Sequence, residues 1–146
     1  MLDLKDVLAR LDQIHRAITR AKGRVNYLMQ GAQRANSRLT PVRYGRGVEH
    51  SRIEYAVLES EAERWGISEL EQERDELLKT IRPLVERLPA GLLRAVATQR
   101  ILEGIPCGII GRRMHFSRSH VYRLLNQATE RIVEMHHMDQ KKKSSL

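Results

Sequence analysis

The chain of 146 residues has the length of about one domain, with room for a small subdomain. Its net charge of +8 at pH 7 favours a polyanionic partner, and nucleic acid is the leading candidate. Aromatic residues make up only 4% of the sequence, which disfavours a β-sandwich, a β-barrel and the aromatic surfaces that bind single strands. Helices can pack through Leu, Ile and Ala instead, so we predict an all-α fold. The single cysteine excludes an intramolecular disulfide. With no signal peptide and no apolar run of about 20 residues, we expect a cytoplasmic protein that does not contact the membrane.

The first predicted element is a long helix from about Leu2 to Ala35. Its apolar residues recur at alternating steps of three and four for about four heptads, with polar residues between them. A seam this narrow needs a partner helix to cover it. The members of the seam are Leu4, Val7, Leu11, Ile14, Ile18, Ala21, Val25, Leu28 and Ala32.

A loop and a second helical segment follow. Residues 37–51 are predicted to form the loop, because this stretch contains one proline and two glycines. A second, less regular seam is interrupted at Ser60, Glu63 and Arg74. Together the two seams predict an antiparallel, coiled-coil-like helical hairpin over residues 1–88, used for oligomerisation or partner contact. Pairing between chains, giving a homodimer through the N-terminal helices, is the alternative. The second seam consists of Ile53, Ala56, Ile67, Leu70, Leu77, Ile81, Leu84 and Leu88.

Charge is distributed unevenly along the chain. Residues 53–88 carry ten acidic and five basic side chains, whereas residues 1–36 carry seven basic and three acidic ones. Residues 89–146 are again basic, with ten basic and four acidic side chains. An acidic helix is repelled by DNA, so we expect the second helix to pair with the basic first helix or to face a protein.

The C-terminal part is predicted to form a separate module over residues 89–135. The sequence LPAG at residues 88–91 marks a break, and a helix is predicted from Leu92 to Glu103, with Gly104 as its end. Pro106 suits the first turn of the next helix. Residues 136–146 are polar and basic, and we expect them to form a frayed tail.

Within this module, residues 106–127 meet the requirements of a helix-turn-helix. Gly111 supplies the small residue where the two helices approach, and His115 suits a turn that needs a positive φ. Ser117 is a favourable N-cap for the second helix. Cys107 is predicted to pack in the apolar interior. The apolar residues that would lock the two helices together are Ile110, Met114, Phe116, Val121 and Leu124.

The second helix of this motif, starting at Ser117, is predicted to read the major groove of double-stranded DNA. Arginine binds guanine edges bidentately, and serine, tyrosine and the helix N-terminus can hold phosphates. Arg112 and Arg113 end the first helix and would lie near the DNA backbone. For His120 and Tyr122, partial burial as packing residues is the competing interpretation. The predicted DNA-binding residues are Arg112, Arg113, Ser117, Arg118, Ser119, His120, Tyr122 and Arg123.

These motifs resemble known DNA-binding proteins. The stretch LPAGLLRAVATQRILEGIPCGIIGRRMHFSRSHVYRLLNQATERI is similar to the fourth region of bacterial sigma factors, which reads the promoter −35 element. The whole chain resembles the ArpU- and RinA-like phage and prophage transcriptional regulators. The likeness rests on Leu39-Thr40-Pro41, on the acidic second helix, and on the pattern formed by Ser117, His120, Val121, Tyr122 and Arg123. It implies control of phage late genes with RNA polymerase as a partner. Such modules usually carry acidic or alanine residues at positions 107–111, so the glycines here should weaken the first helix of the motif.

Other functions find less support in the sequence. The sequence has no glycine-rich loop of the kind that binds phosphate. The carboxylates at residues 69–76 spread around a helix and do not converge on one site. His136 and His137 have no Cys or carboxylate that would complete a set of metal ligands. We therefore predict no catalytic residues, no metal and no cofactor. Two alternatives remain: a packaging protein like the small terminase subunits of phages, which assemble as large rings, and a coiled-coil protein that binds only other proteins.

Overall fold

The computed structural model describes residues 3–37 and 46–145, with side chains described for 3–31 and 53–145. These ranges contain five α-helices: α1 (Leu4–Ser37), α2 (Arg46–Glu86), α3 (Leu92–Ala97), α4 (Cys107–Met114) and α5 (Arg118–Ser144). A π-helical turn, Thr98–Leu102, follows α3 directly. No strand occurs in the described ranges, so the all-α prediction is confirmed. Within the same ranges, no helix carries an apolar stretch long enough to cross a membrane.

Two predicted boundaries are corrected. Helix α2 begins at Arg46, so residues 46–51 of the predicted loop are helical, while residues 38–45, including Leu39-Thr40-Pro41, lie outside the described residues. The predicted frayed tail is instead the end of α5, which continues to Ser144. Residues 134–144 contain no glycine or proline, and the lysines of the last turn interact favourably with the helix dipole. Arg87 pairs with Asp139 at 2.6 Å, which attaches the C-terminal part of α5 to the chain just after the end of α2.

The chain divides into two compact units. The first unit comprises residues 1–15 and 74–146, and the second unit comprises residues 16–73. The division therefore falls within α1 and α2, and not at the predicted boundary near residue 88. The physical reason is a shared apolar core, because the start of α1 and the end of α2 pack with α3 and α5. The buried residues of this core are Leu4, Leu11, Leu78, Ile81, Leu84, Val85, Leu88, Ala97, Ile101, Ala128, Ile132 and Val133.

In each unit, α1 and α2 pair within one chain and run antiparallel. In the second unit, Arg24 binds Glu63 through two hydrogen bonds of 2.9 and 3.2 Å, and Lys22 pairs with Glu71 at 3.6 Å. The predicted pairing of the basic helix with the acidic one is confirmed here. Such exposed pairs contribute little to stability, because water screens their charges. Burial of apolar side chains from both seams, among them Ile18, Ala21, Val25 and Ile67, provides the larger stabilisation.

The polar interruptions of the second seam have partners. Ser60 is buried, and its hydroxyl donates to the carbonyl of Val57 at 3.0 Å and lies 3.5 Å from the Met29 sulfur. Glu63 forms the pair with Arg24 described above. These positions therefore continue the contact between α1 and α2 instead of ending it.

A buried histidine connects α1 to the end of the π-helical turn. His15 Nε2 lies 2.9 Å from the carbonyl oxygen of Ile101, and the ring packs against Gly104. Gly104 has φ +72°, and a Cβ there would lie 2.5 Å from His15 Nδ1. Only glycine therefore satisfies both the backbone conformation and the space at the predicted end of this helix.

Burial is the main cause that lowers the pKa of His15, and the nearby Arg74 and Arg100 act in the same direction. The hydrogen bond to Ile101 and the carboxylate of Asp12 oppose this shift. Because Asp12 also pairs with Arg100, the histidine lies at the edge of a charged cluster within the first unit.

We expect the first unit to lose stability as the pH falls. Because the pKa of His15 is lowered in the folded state, the unfolded chain binds the proton more tightly. The stability that neutral His15 contributes is therefore fully present above about pH 6.5, the ordinary pKa of histidine. It is lost as the pH falls through the lowered pKa of the folded state. Urea unfolding of the wild type and of His15→Gln at several pH values measures this contribution. The variant should show a smaller loss of unfolding free energy between about pH 7 and 5. Equal losses in both proteins would contradict the assignment.

Candidate nucleic-acid interface

Helices α4 and α5 are joined by a tight turn of three residues. His115 adopts the left-handed conformation, with φ 59° and ψ 40°, and the Gly111 carbonyl accepts from the backbone N–H groups of His115 and Phe116. The bond from Phe116 is the 6→1 bond of a Schellman motif and the bond from His115 is the 5→1 bond of an αL cap, and both satisfy the Gly111 carbonyl near the end of α4. Ser117 then caps α5, since its hydroxyl oxygen accepts from the His120 N–H at 3.2 Å. The positive φ at His115 and the N-cap at Ser117 confirm two predictions.

Gly111 lies where the turn passes closest to α4. A Cβ at this position would lie 2.7 Å from the carbonyl oxygen of Phe116 and 3.6 Å from a methyl group of Val121. The predicted need for a small residue is therefore confirmed, and the close neighbour is backbone. Gly111 is thus part of the reason that α4 and α5 approach closely, although glycine lowers the intrinsic helix propensity of α4.

An apolar cluster holds α4 and α5 together. All five predicted locking residues belong to it, and Cys107 is buried there as predicted. The cluster also includes Val96 and Leu93 from α3, which the spacing within α4 and α5 did not reveal. The buried members are Val96, Cys107, Ile110, Val121 and Leu124, and the half-buried members are Leu93, Ile105, Met114, Phe116 and Leu125.

The structure brings the predicted DNA-binding residues to the outside of α4 and the start of α5. Seven of the eight are exposed. The exception is His120, which is half-buried with its ring edge-on to Phe116 at a centroid distance of 4.6 Å, so its packing role is established. Tyr122 is exposed and does not fill the core. The exposed residues are Arg112, Arg113, Ser117, Arg118, Ser119, Tyr122 and Arg123.

The positive charge of this surface is not neutralised locally. Residues 104–129 contain four arginines and no aspartate or glutamate. Within the described part of the chain, none of these four arginines forms an ion pair. The guanidinium of Arg118 lies beside Gly108, 3.3 Å from where a Cβ would be. Gly108 therefore leaves room for Arg118, which accounts for one of the unusual glycines in α4.

Two further residues extend the exposed face of α5. Asn126 and Gln127 are exposed and stand four residues after Tyr122 and Arg123, so they lie on the same side of the helix one turn later. Asparagine and glutamine side chains can bind adenine bidentately. Their spacing of four from Tyr122 and Arg123 is a signal in the sequence that predicts their place on this face, although their side chains carry no charge.

The described residues offer little support for a metal site or for a reactive cysteine. Among the described residues, no group of three His, Cys, Asp or Glu side chains could hold a metal ion. The rings of His136 and His137 lie 6.4 Å apart by their centroids, which is the divergence expected of adjacent helix residues. Cys107 is buried and unavailable for surface chemistry.

Comparison with known proteins adds no assignment: no protein-family model, curated protein or solved structure matches the chain.

Proposed function

We propose that the protein is a sequence-specific transcriptional regulator that binds double-stranded DNA through α4 and α5. In this proposal the pair is a helix-turn-helix, and α5 lies in the major groove. The observation that carries the proposal is the arginine-rich, acid-free outer face of α4 and of the first turns of α5, on a frame fixed by Gly111 and the apolar cluster. A fixed frame allows side chains on a helix to meet base edges in a defined register.

The proposed contacts follow from position and chemistry. Arg123 lies more than one turn into α5, where its side chain is free of protein partners among the described residues and can reach a guanine edge. Ser117, Ser119 and the N-terminus of α5 would hold phosphate, with Arg112 and Arg113 close to the DNA backbone. No acidic residue lies in the first turn of α5 to repel phosphate.

The wider role is also a proposal. The resemblance to the ArpU- and RinA-like regulators supports control of phage or prophage late genes in the cytoplasm, with RNA polymerase as a partner. The same resemblance supports a role in DNA binding and not in catalysis. One helix-turn-helix module binds DNA weakly by itself, so a second copy of the chain or the polymerase is proposed to supply further affinity.

Duplex DNA binding tests the proposal directly. Fragments from the neighbourhood of the gene are compared with random duplex of equal length, by fluorescence anisotropy at low and at physiological salt. We expect one fragment to remain bound at physiological salt while random DNA is released, because base contacts survive salt better than phosphate attraction alone.

Two results would count against a regulator. If all fragments bind alike and are released together as salt rises, the basic surface acts only through non-specific attraction. If no duplex binds even at low salt, α5 is not a DNA-binding helix, and a role in protein binding replaces the proposal. Far-UV circular dichroism of the same samples confirms that the helices are folded.

A further inference from the structure

The exposed face of α5 has a middle line, which we call the central stripe and define as Ser119, Arg123 and Asn126. These residues are spaced by four and three, which places them in one row along the helix. All three are exposed, and among the described residues none of their side chains has a partner within the chain. The row lies opposite the buried side of α5, because Asn126 stands two residues from both Leu124 and Ala128, about 200° around the helix.

Asn126 and its neighbour Gln127 differ in position, although both side chains carry an amide. Gln127 is also exposed, but it follows the buried Leu124 by three residues and directly precedes the buried Ala128. A residue three positions along a helix returns to within about 60° of the first. Gln127 therefore lies at the flank of the exposed face, towards the buried side, whereas Asn126 lies in its middle. A DNA groove that receives the central stripe meets the amide of Asn126 first.

The spacing along the central stripe matches the spacing of base pairs. Asn126 follows Arg123 by three residues, which corresponds to a rise of about 4.5 Å along the helix. Successive base pairs of B-DNA are about 3.4 Å apart. The two side chains can therefore reach base pairs that are one or two steps apart. An asparagine amide can donate to N7 of adenine and accept from its N6 amino group, while arginine binds guanine in the equivalent bidentate way.

Acidic charge begins one turn beyond Asn126. Glu130 follows Asn126 by four residues on the same side of α5 and is exposed. It is the first acidic residue after the acid-free residues 104–129, and among the described residues it has no basic partner. The phosphates that line a groove repel an unpaired carboxylate. We therefore expect the close contact between α5 and DNA to end at Asn126, the last member of the central stripe.

We propose that Asn126 reads an adenine one or two base pairs from the guanine that Arg123 reads. The recognised DNA is then a duplex whose half-site holds this guanine and this adenine within the reach of one helix. The inference rests on the proposed function, since it assigns a base to a residue of the same recognition helix. The guanine and adenine contacts are tested separately, so that a failure of the inference and a failure of the proposed function remain distinguishable.

Selection from a random duplex library supplies the probe. The full chain selects duplexes at physiological salt, and the preferred duplex is then remade with one purine at a time replaced by its 7-deaza analogue. The analogue keeps the base pairing but has no N7 acceptor. We expect 7-deazaguanine at one position and 7-deazaadenine one or two base pairs away each to lower the affinity by about fivefold or more in fluorescence anisotropy. The effect of 7-deazaguanine should vanish in Arg123→Ala, which identifies the guanine that Arg123 reads.

Asn126→Ala and Gln127→Ala provide a matched comparison, because they truncate adjacent exposed amides. In Asn126→Ala, we expect the adenine and 7-deazaadenine duplexes to bind with affinities within about twofold of each other, since the group that senses N7 is gone. Gln127→Ala should discriminate between the two duplexes as the wild type does. Alanine is a better helix former than either amide, and circular dichroism verifies that both variants keep their helical content.

Three results would overturn the proposal. If no duplex is enriched over random DNA, the proposed function fails and the assignment of Asn126 fails with it. If a duplex is enriched but tolerates 7-deazaadenine at every position, the protein reads DNA without this adenine contact, and only the present inference is lost. If Asn126→Ala still discriminates against 7-deazaadenine, or if Gln127→Ala alone does not, the adenine is read by another residue.

Discussion

Gly111→Ala is expected to destabilise the first unit by about 1–2 kcal/mol, although alanine is the better helix former. The new methyl group would lie 2.7 Å from the Phe116 carbonyl oxygen, well inside an ordinary contact distance of about 3.5 Å. Overpacking of this kind costs about 1–3 kcal/mol, and the gain in helix propensity offsets about 0.5–1 kcal/mol. The oxygen cannot move alone, because its residue is fixed by the hydrogen bond from the Phe116 N–H to the Gly111 carbonyl at 2.8 Å.

Gly108→Ala is the matched control, because it places the same methyl group on the same helix. Its nearest neighbour is the end of the Arg118 side chain at 3.3 Å, which can move aside at little cost. We expect this variant to be as stable as the wild type or more stable, by up to about 1 kcal/mol. Thermal unfolding followed by circular dichroism compares the two, and a drop of about 4–8 °C in melting temperature corresponds to each kcal/mol lost. Equal behaviour of the two variants would mean that α4 and the turn do not approach as described.

The local features of the α4–α5 turn were predictable because they depend on residues close in sequence. A residue that tolerates positive φ, a serine N-cap and a small residue on the first helix each have a signature within a few positions. The apolar seam of α1 was predictable for the same reason, and Leu4, Leu11, Ile14, Ile18, Ala21 and Val25 are all buried. Repetition at helical spacing identifies a buried side without knowledge of what covers it.

The features that sequence reasoning missed depend on contacts between distant residues. The end of α5 was predicted to fray because its residues are polar, yet Asp139 pairs with Arg87, which is 52 positions away. The division into units follows from a core that α1 and α2 share with α3 and α5, and no local composition marks it. The exposed stripe through Leu58 and Trp65 was not predicted either, because the apolar residues of one helix can form two stripes, and their spacing does not say which one is buried.

Loss of Arg123 is expected to weaken DNA binding more than any other single change on α5. Arg123 is exposed, lies beyond the first turn and forms no ion pair within the described residues, so its guanidinium is available for a bidentate contact to guanine. Such a contact discriminates by about 1–3 kcal/mol, and Arg123→Ala should lower affinity for the preferred duplex by about 5- to 150-fold. Random duplex should be affected much less, so the ratio of specific to random binding falls.

Arg118 differs from Arg123 because it is the first residue of α5 and its guanidinium lies beside Gly108 on α4. We expect Arg118→Ala to weaken binding of all duplexes alike and to reduce the salt slope by about one, the signature of a phosphate contact. Arg64→Ala, at an exposed arginine of the acidic helix α2, removes the same charge and should leave affinity nearly unchanged. Fluorescence anisotropy with specific and random duplexes at several salt concentrations separates the three results. Unchanged affinity in both Arg118→Ala and Arg123→Ala, with full helical content, would rule out α5 as the recognition helix.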